Sequence, residues 1–306
     1  MKKITNLIIK YICLYLSMLV PRNKKLIICG AWFGNKYDDN PRYFYEYLIK
    51  NKPEVKAYWI TCNENVYNRL NSEEKNVCMA NSLKAKILAL RAKFICTATG
   101  KIDIGESNVK FLGGAYYINF WHGVTFKKVM YDDEYSNRGK GKQEKIKEKL
   151  EYLPFRNYFV VSTSEKISNI YESAFRVRKD QIIQMGQPRN DYFYIEHCNQ
   201  YKERFKDKKI ILYMPTHRNE GKTPINISKI FELDKLNEWC EKNNYIFLIK
   251  KHFYHSGEEI VDNNKYSSIV EITNEVTETQ ILLDAADILI TDYSSIFTDF
   301  AYMKKT

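Results

Sequence analysis

A histidine follows one predicted β-strand of this 306-residue chain, at a point where general-base chemistry is possible. His122 ends an apolar run and is followed by Gly123, which permits a tight turn, and then by Lys127 and Lys128. A histidine at the carboxyl end of a strand can take a proton from a hydroxyl nucleophile near neutral pH. The alternative is a structural histidine bonded to the loop backbone. The flanking glycine and lysines favour the general base.

Four more strand ends carry groups that can bind a phosphate. Guanidinium, ammonium, hydroxyl and helix-start N–H groups can all neutralise a diphosphate or stabilise a developing oxyanion. The candidates are Arg189 in the turn 186–191, Thr216, His217 and Arg218 after a strand at 209–214, Lys250 and His252 after a strand at 245–249, and Ser294 and Ser295 after a strand at 288–291. A structural turn, incidental surface charge or a plain helix cap is the alternative at these places.

The two lysines after residue 249 are expected to differ. In an extended chain, successive side chains point to opposite sides, so Lys250 and His252 share one side and Lys251 lies opposite. We therefore expect Lys250 and His252 to neutralise a diphosphate together. We expect Lys251 to be solvated.

The positive charge of the chain is concentrated near its start. Lysine and arginine number 48 against 37 aspartates and glutamates, a net charge of +11, and residues 1–25 carry +6 of it. Residues 4–20 are largely apolar, with polar residues at helical spacing, and as a helix they reach only about 25 Å. This pattern predicts a helix within residues 1–24 that lies on an anionic cytoplasmic membrane surface. A helix packed on the protein's own core is the alternative.

The composition of the chain argues against several classes of protein and kinds of site. A hydrophobic content of 44% excludes global disorder and a polytopic membrane protein. Seven cysteines without a C-x-x-C pair indicate a reducing compartment and no zinc site. Asp132 and Asp133 lie outside any ligand cluster, so we expect a reaction without metal or cofactor. The basic residues form no continuous patch with interleaved aromatics, which argues against nucleic acid as a partner.

Short β-rich runs alternate with helical segments, which predicts an α/β fold with parallel sheets and helices on both faces. The predicted strands are 26–29, 57–61, 94–97, 117–120, 158–162, 182–185, 209–214, 245–249, 268–272 and 288–291. The predicted helices are 41–50, 64–71, 81–91, 142–150, 164–174, 228–243 and 277–286.

A polar, tyrosine-rich stretch near 192–206 predicts a domain boundary. We expect Rossmann-like domains over 25–195 and 196–306. The second has only four candidate strands, fewer than a doubly wound domain normally uses. We therefore expect it to be incomplete, with the chain a fragment or the missing layers supplied from elsewhere.

Taken together and in this order, the motifs resemble the CDP-glycerol glycerophosphotransferase family of teichoic-acid enzymes. The matching stretches are GAWFGNKYDDNPRYFYEYL (30–48), NFWHGVTFKKV (119–129), GQPRND (186–191), MPTHR (214–218), LIKKH (248–252) and DILITDYSSIFTDFAY (287–302). The resemblance implies two Rossmann-like domains of GT-B type with a central cleft, the first for the acceptor and the second for the CDP-alditol donor. It also implies peripheral association with the cytoplasmic face of the cell membrane.

The resemblance implies roles for the matching residues. His122 would be the general base for the acceptor hydroxyl, and His252 a second catalytic histidine at the diphosphate. Thr216, Arg218, Ser294 and Ser295 would bind the diphosphate, with Asp292 orienting that turn. The further substrate-binding residues would be Gly123, Lys127, Arg189 and Lys250.

The expected reaction is attack by a polyol hydroxyl on the phosphorus next to the glycerol or ribitol of a CDP-alditol. The acceptor would be a lipid-linked anionic polymer, and CMP would be released. Positioning two anionic partners and absorbing charge on the leaving group is what such phosphoryl transfer requires. A GT-B nucleotide-sugar glycosyltransferase and an inactive truncated remnant are the alternatives.

Overall fold

The computed structural model describes residues 2–136, 138–216, 223–251, 261–262, 264–275 and 278–304. The chain divides into two compact units, Met1–Asp191 and Tyr192–Thr306. Among the helices of these ranges, none combines the length and the apolar character needed to cross a lipid bilayer.

The described residues of the first unit form a parallel sheet of seven strands. The strands are β1 (Asn23–Gly30), β2 (Lys56–Thr61), β3 (Val77–Met79), β4 (Ala92–Thr97), β5 (Tyr116–Asn119), β6 (Tyr158–Ser162) and β7 (Ile182–Gln184). Their order is β3-β2-β1-β4-β5-β6-β7. The order reverses between β1 and β4, and the carboxyl ends of strands beside such a reversal are where open α/β sheets bind ligands.

Helices cover both faces of this sheet. They are α1 (Lys2–Leu16), α2 (Asp39–Asn51), α3 (Glu64–Ser72), α4 (Leu83–Arg91), α5 (Gly141–Tyr152) and α6 (Glu165–Ala174). Strand β1 shows why two layers are needed, because its side chains alternate between two buried clusters. Leu26 and Ile28 lie in one cluster, and Ile27 and Cys29 lie in the other. A strand buried on both faces is an almost continuous apolar run.

Helix α1 packs against the first unit through a side that includes two polar residues. The Ser17 hydroxyl, just after the helix, accepts a hydrogen bond from the Gly113 amide at 2.9 Å. The Lys10 ammonium lies 3.8 Å from a Glu151 carboxylate oxygen, and Leu14 is fully buried. Five apolar side chains of the helix are exposed by 47% to 58%, and we call them the α1 outer face: Leu7, Ile8, Ile9, Ile12 and Leu16.

The second unit has a smaller parallel sheet in its described residues. Its strands are β8 (Lys209–Tyr213), β9 (Tyr245–Ile249), β10 (Ile269–Glu271) and β11 (Ile288–Ile290), in the order β10-β9-β8-β11. Its helices are α7 (Gln200–Arg204), α8 (Ile227–Ile230), α9 (Leu233–Asn243), α10 (Thr279–Ala285) and α11 (Ile296–Tyr302). The strand order reverses between β8 and β11, which marks a second place suited to ligand binding.

The predicted α/β class with parallel sheets is confirmed, since every strand pairing described is parallel. Each of the predicted strands has a counterpart within a few residues. The short strand β3 and the helix α7 were not predicted. The helix predicted over 228–243 is divided into α8 and α9.

Candidate functional site

His122 lies just beyond the carboxyl end of β5, beside the reversal of strand order in the first unit. The backbone turns sharply there, because Trp121 has a φ of +57° and Gly123 a φ of +144°. Both values lie in the left-handed region, where a non-glycine residue is uncommon and is held by its surroundings. Glycine adopts such a value without strain, so the strained residue is Trp121, and backbone strain next to a titratable side chain is typical of functional sites.

Three side chains hold the backbone around His122 by its carbonyl groups. The Asn40 amide donates to the Trp121 carbonyl at 2.9 Å, and Arg189 Nη1 donates to the His122 carbonyl at 3.0 Å. The Tyr171 hydroxyl donates to the Gly123 carbonyl at 3.4 Å. These contacts fix three successive peptide groups, so the direction of the imidazole is set from outside its own loop.

The Asn40 and Arg189 contacts belong to one buried network. Arg189 Nη1 lies 3.0 Å from Asp39 Oδ1, and its backbone amide donates to Asn40 Oδ1 at 3.1 Å. Asp39, Asn40 and Arg189 are exposed by 4%, 0% and 6%. We call Asp39, Asn40, Trp121, His122, Gly123 and Arg189 the histidine site.

The network corrects the role predicted for Arg189. The sequence predicted a planar fork that meets a phosphate, but the guanidinium is buried and bonded to Asp39 and to the His122 carbonyl. Its partner lies 150 positions away in the chain, so local spacing could not reveal it. The contacts of its Nη1 atom are with groups of the protein itself.

Two indole rings flank the His122 imidazole. The Trp121 ring centroid lies 4.1 Å from that of His122, and the Trp32 centroid lies 5.4 Å away. Trp32 and Phe33 follow β1 with φ values of +50° and +59°. The Phe33 amide donates to Asp103 Oδ1 at 2.8 Å, which anchors this turn next to the end of β4.

Burial lowers the pKa of His122 below its ordinary value of 6.5. The Asp39 carboxylate and a hydrogen bond to the Ala98 backbone act in the opposite direction, and the Arg189 guanidinium lowers the pKa further. A lowered pKa keeps the imidazole neutral at physiological pH. A neutral imidazole can accept a proton, which is what a general base must do.

The lysines beyond His122 are on the surface. Lys127 and Lys128 are exposed, and Lys128 forms an ion pair with Glu134. Lys127 therefore stays a candidate for contact with an anionic substrate, and Gly123 supplies the turn that the sequence predicted.

A second cluster lies at the carboxyl ends of β8 and β11, beside the reversal of strand order in the second unit. Asp292 Oδ1 accepts a hydrogen bond from the Thr216 backbone amide at 2.9 Å and another from the Thr216 hydroxyl. The Thr291 hydroxyl donates to the Met214 carbonyl at 2.6 Å, which ties the two strand ends together again. We call Thr216, Asp292, Ser294 and Ser295 the Asp292 site.

The serines of the Asp292 site are half-buried at the start of α11. The Ser294 amide donates to the Asp292 carbonyl at 2.9 Å. Ser295 precedes the helix and makes no side-chain capping bond. The alternative of a conventional serine cap at Ser295 therefore has no hydrogen bond to support it. The cluster brings a carboxylate and three hydroxyl groups to one edge of the sheet.

The lysines after β9 contradict part of the sequence analysis. Lys251 was expected to be solvated, yet it is 2% exposed and its ammonium lies 3.1 Å from Glu271 Oε1. Lys250 was expected at a diphosphate, but its ammonium donates to the carbonyls of Ile272, Thr273 and Glu275. Alternation alone failed because the last residue of β10, Glu271, offers a buried carboxylate to Lys251, and the loop after β10 offers carbonyl groups to Lys250.

Three predicted residues, His217, Arg218 and His252, lie outside the described ranges. Within those ranges, no group of three or more histidine, cysteine or acidic side chains is arranged to hold a metal ion.

Asn40 contacts the His122 loop and Asp39 contacts Arg189, and the sequence did not predict either contact. The available signal was the run Asp38-Asp39-Asn40-Pro41, since acidic residues and an early proline indicate the start of a helix. The structure has Asp38 as the cap of α2, with Asp39 at a φ of +64°. A cap signal identifies the helix start, but it does not indicate which distant loop the side chains bind.

The geometry can be compared with known proteins. Residues 12–306 match the family described as CDP-glycerol:poly(glycerophosphate) glycerophosphotransferase. A teichoic acid poly(glycerol phosphate) polymerase of Bacillus spizizenii (strain W23) is 31% identical over 303 residues, which is 94% of this chain and 74% of that protein. A teichoic acid ribitol-phosphate polymerase of Staphylococcus aureus is 31% identical over 209 residues, covering 64% of this chain and 35% of that protein.

The fold has a solved counterpart. The structure of the wall teichoic acid polymerase TagF superposes with a TM-score of 0.72 at 23% identity, covering 99% of this chain and 76% of that one. It shares the fold, and the family match covers nearly all of the chain. The protein is therefore a member of the CDP-glycerol:poly(glycerophosphate) glycerophosphotransferase family.

Proposed function

We propose that this protein transfers glycerol phosphate or ribitol phosphate from a CDP-alditol to a hydroxyl of a lipid-linked anionic acceptor. The acceptor oxygen forms a bond to the phosphorus that carries the alditol. The bond from that phosphorus to the bridging oxygen of CMP breaks, CMP leaves, and the hydroxyl proton passes to His122. The observation that carries the proposal is the half-buried His122 imidazole, whose loop is held by hydrogen bonds to the Trp121 and His122 carbonyl groups.

The Asp292 site is proposed to bind the donor diphosphate. Asp292 fixes Thr216, while Ser294 and Ser295 carry hydroxyl groups next to it. Hydroxyl and amide donors can stabilise the negative charge that develops on the leaving phosphate. Arg218 and His252, which lie outside the described ranges, are proposed to add positive charge to the same diphosphate.

The proposal is tested by CMP release from CDP-glycerol, CDP-ribitol and a UDP-sugar, with a lipid-linked glycerol phosphate primer in vesicles. We expect release from one or both CDP-alditols and none from the UDP-sugar. His122→Ala should abolish release, while His197→Gln, which changes a histidine outside both sites, should keep it. If the unmodified chain releases CMP from neither CDP-alditol, the proposed function is refuted. If His122→Ala keeps full activity, His122 is not the general base.

We also propose that the α1 outer face lies against an anionic membrane surface at the cytoplasmic side. Its five apolar side chains are exposed while the Lys10 and Leu14 side of the helix contacts the protein. Residues 1–25 carry +6 of the net charge. An exposed apolar helix face with adjacent positive charge is suited to the headgroup region of an anionic leaflet. This position would bring the enzyme to a lipid-linked acceptor.

Sedimentation with phosphatidylglycerol vesicles tests the membrane proposal. Changing both Ile8 and Ile12 to glutamate should weaken binding by about tenfold or more, because apolar burial is lost and negative charge is added. Ile230→Glu is a matched control, since Ile230 is 51% exposed and Ile12 is 53% exposed. Equal binding by the double variant and the control would refute this role of α1.

A further inference from the structure

We infer that Asp39, Asn40 and Arg189 are positioning residues for His122, and that the buried Asp39–Arg189 ion pair serves this purpose. The inference rests on the proposed function in one respect, the assignment of His122 as the base. It differs from the sequence prediction, in which Arg189 bound phosphate and Asp39 and Asn40 had no role.

Asp39, Asn40 and Arg189 are joined to the backbone that carries His122. Arg189 Nη1 is 3.0 Å from both Asp39 Oδ1 and the His122 carbonyl oxygen, so one nitrogen joins the carboxylate to the histidine backbone. Asn40 connects the Arg189 amide to the Trp121 carbonyl through its two side-chain atoms. The start of α2 and the turn after β7 are thereby joined through the residues that carry the imidazole.

The Asp39–Arg189 ion pair is desolvated. The side chains of Arg189 and Asp39 are exposed by only 7% and 5%. A buried ion pair is often no better for stability than apolar side chains of the same size, because both charges lose their hydration. The pair here stabilises a loop whose backbone is strained at Trp121. Holding such a loop requires directional acceptors and donors, which apolar side chains do not offer.

The charges of Asp39 and Arg189 have opposite effects on the pKa of His122. Two charged groups act on the imidazole from different elements, the Asp39 carboxylate at the start of α2 and the Arg189 guanidinium after β7. Asp39 favours the protonated imidazole and Arg189 opposes it. From the β1 side the neutral Trp32 ring faces His122, and the Lys36 ammonium lies 5.4 Å from the centre of that ring. The Ala98 backbone is the contact from β4.

The decisive experiment is a titration of His122 by NMR in the intact chain, with its signal assigned by His122→Gln. Arg189→Gln should raise the pKa of His122, because the carboxylate is left without its cation. Asp39→Asn should lower this pKa, because the guanidinium then acts alone. Shifts of opposite sign show that both charged groups act on the imidazole from the positions seen in the structure, since removing a negative and a positive charge moves a pKa in opposite directions. Shifts of the same sign, or no shift in either variant, would overturn the inference.

Kinetics give an independent measurement. Asn40→Ala removes two tethering bonds without changing any charge, so kcat for CMP release should fall by about a hundredfold while the pKa of His122 stays constant. Arg189→Lys keeps the positive charge and loses the planar geometry of the guanidinium. The pKa of His122 in this variant should therefore stay near its value in the unmodified chain, while kcat falls. An unchanged kcat in Asn40→Ala would contradict the positioning role.

A matched control separates positioning from loss of stability. Glu271→Gln breaks another buried ion pair, in the second unit, and should lower the melting temperature without moving the His122 titration. The NMR readout does not depend on turnover. If the unmodified chain releases no CMP while the opposite shifts are seen, the proposed function fails and the inference stands. If CMP is released and the shifts are absent, the inference alone fails.

Discussion

The carboxylate of Asp292 accepts two hydrogen bonds from Thr216, one from its backbone amide at 2.9 Å and one from its hydroxyl. Thr216 follows β8 and Asp292 follows β11, and these neighbouring strands are where the sheet order of the second unit reverses. The two residues are 76 positions apart in the chain. Their contact fixes the loop that the proposed donor diphosphate approaches.

Thr216→Val should weaken donor binding. The variant keeps the shape of the side chain but removes the hydroxyl from the Asp292 carboxylate, and a bond to a charged acceptor contributes about 1.5–3 kcal/mol. We expect KM for the CDP-alditol to rise about tenfold or more, measured by CMP release at varied donor concentration. Thr216→Ser retains the hydroxyl and should stay close to the unmodified chain. An unchanged KM in Thr216→Val would argue against this contact.

The pH dependence of the reaction should report the lowered pKa of His122. A base with a lowered pKa stays neutral to lower pH, so the acidic limb of log(kcat/KM) should break below 6.5, the ordinary value for histidine. Above that break the rate should no longer increase because of this group. The measurement is CMP release between about pH 5 and 8, the range around a histidine pKa. A break above 6.5 would contradict a desolvated base.

Local sequence patterns predicted the elements of the fold better than the contacts within its sites. Apolar runs such as 245–249 predict strands because a parallel strand that is buried on both faces is a nearly continuous run of apolar residues. Strand β3 was missed because it has only three residues, Val77–Met79. His122 could be predicted as a candidate because a histidine at a strand end is visible in the local sequence.

The contacts that give each charged residue its role join distant parts of the chain. Arg189 and Lys251 have partners 150 and 20 positions away, at Asp39 and Glu271. Alternation placed Lys251 opposite Lys250, but it carried no information on which side β10 would offer a carboxylate. A charged residue at a strand end therefore predicts a polar contact, while its partner depends on sheet order.

The Lys251–Glu271 pair gives a test of stability. Both side chains are fully buried, and Thr273 donates to the same carboxylate oxygen at 2.7 Å. Glu271→Gln leaves the buried ammonium without a counter-charge and should lower the free energy of unfolding by about 3–5 kcal/mol. Lys251→Met combined with Glu271→Leu removes both charges and should recover much of that loss.

Denaturant unfolding monitored by circular dichroism measures both Glu271 variants. The comparison is between the single and the double variant, because only the single variant retains an uncompensated charge. A double variant that is less stable than Glu271→Gln would show that the ion pair itself stabilises the second unit, and that the cost of an uncompensated buried charge does not explain the loss.

Gly113→Ala should loosen α1 from the first unit. A Cβ at position 113 would lie 2.2 Å from the Leu14 carbonyl oxygen and 2.7 Å from the Ser17 hydroxyl, so the end of α1 must move. Overpacking of this kind costs about 1–3 kcal/mol, and we expect a lower melting temperature with faster hydrogen exchange in α1. Gly186→Ala is the control, because a Cβ there meets nothing within 4 Å. If both variants have the same melting temperature and the amide hydrogens of α1 exchange at an unchanged rate, close packing at Gly113 is not what holds the helix in place.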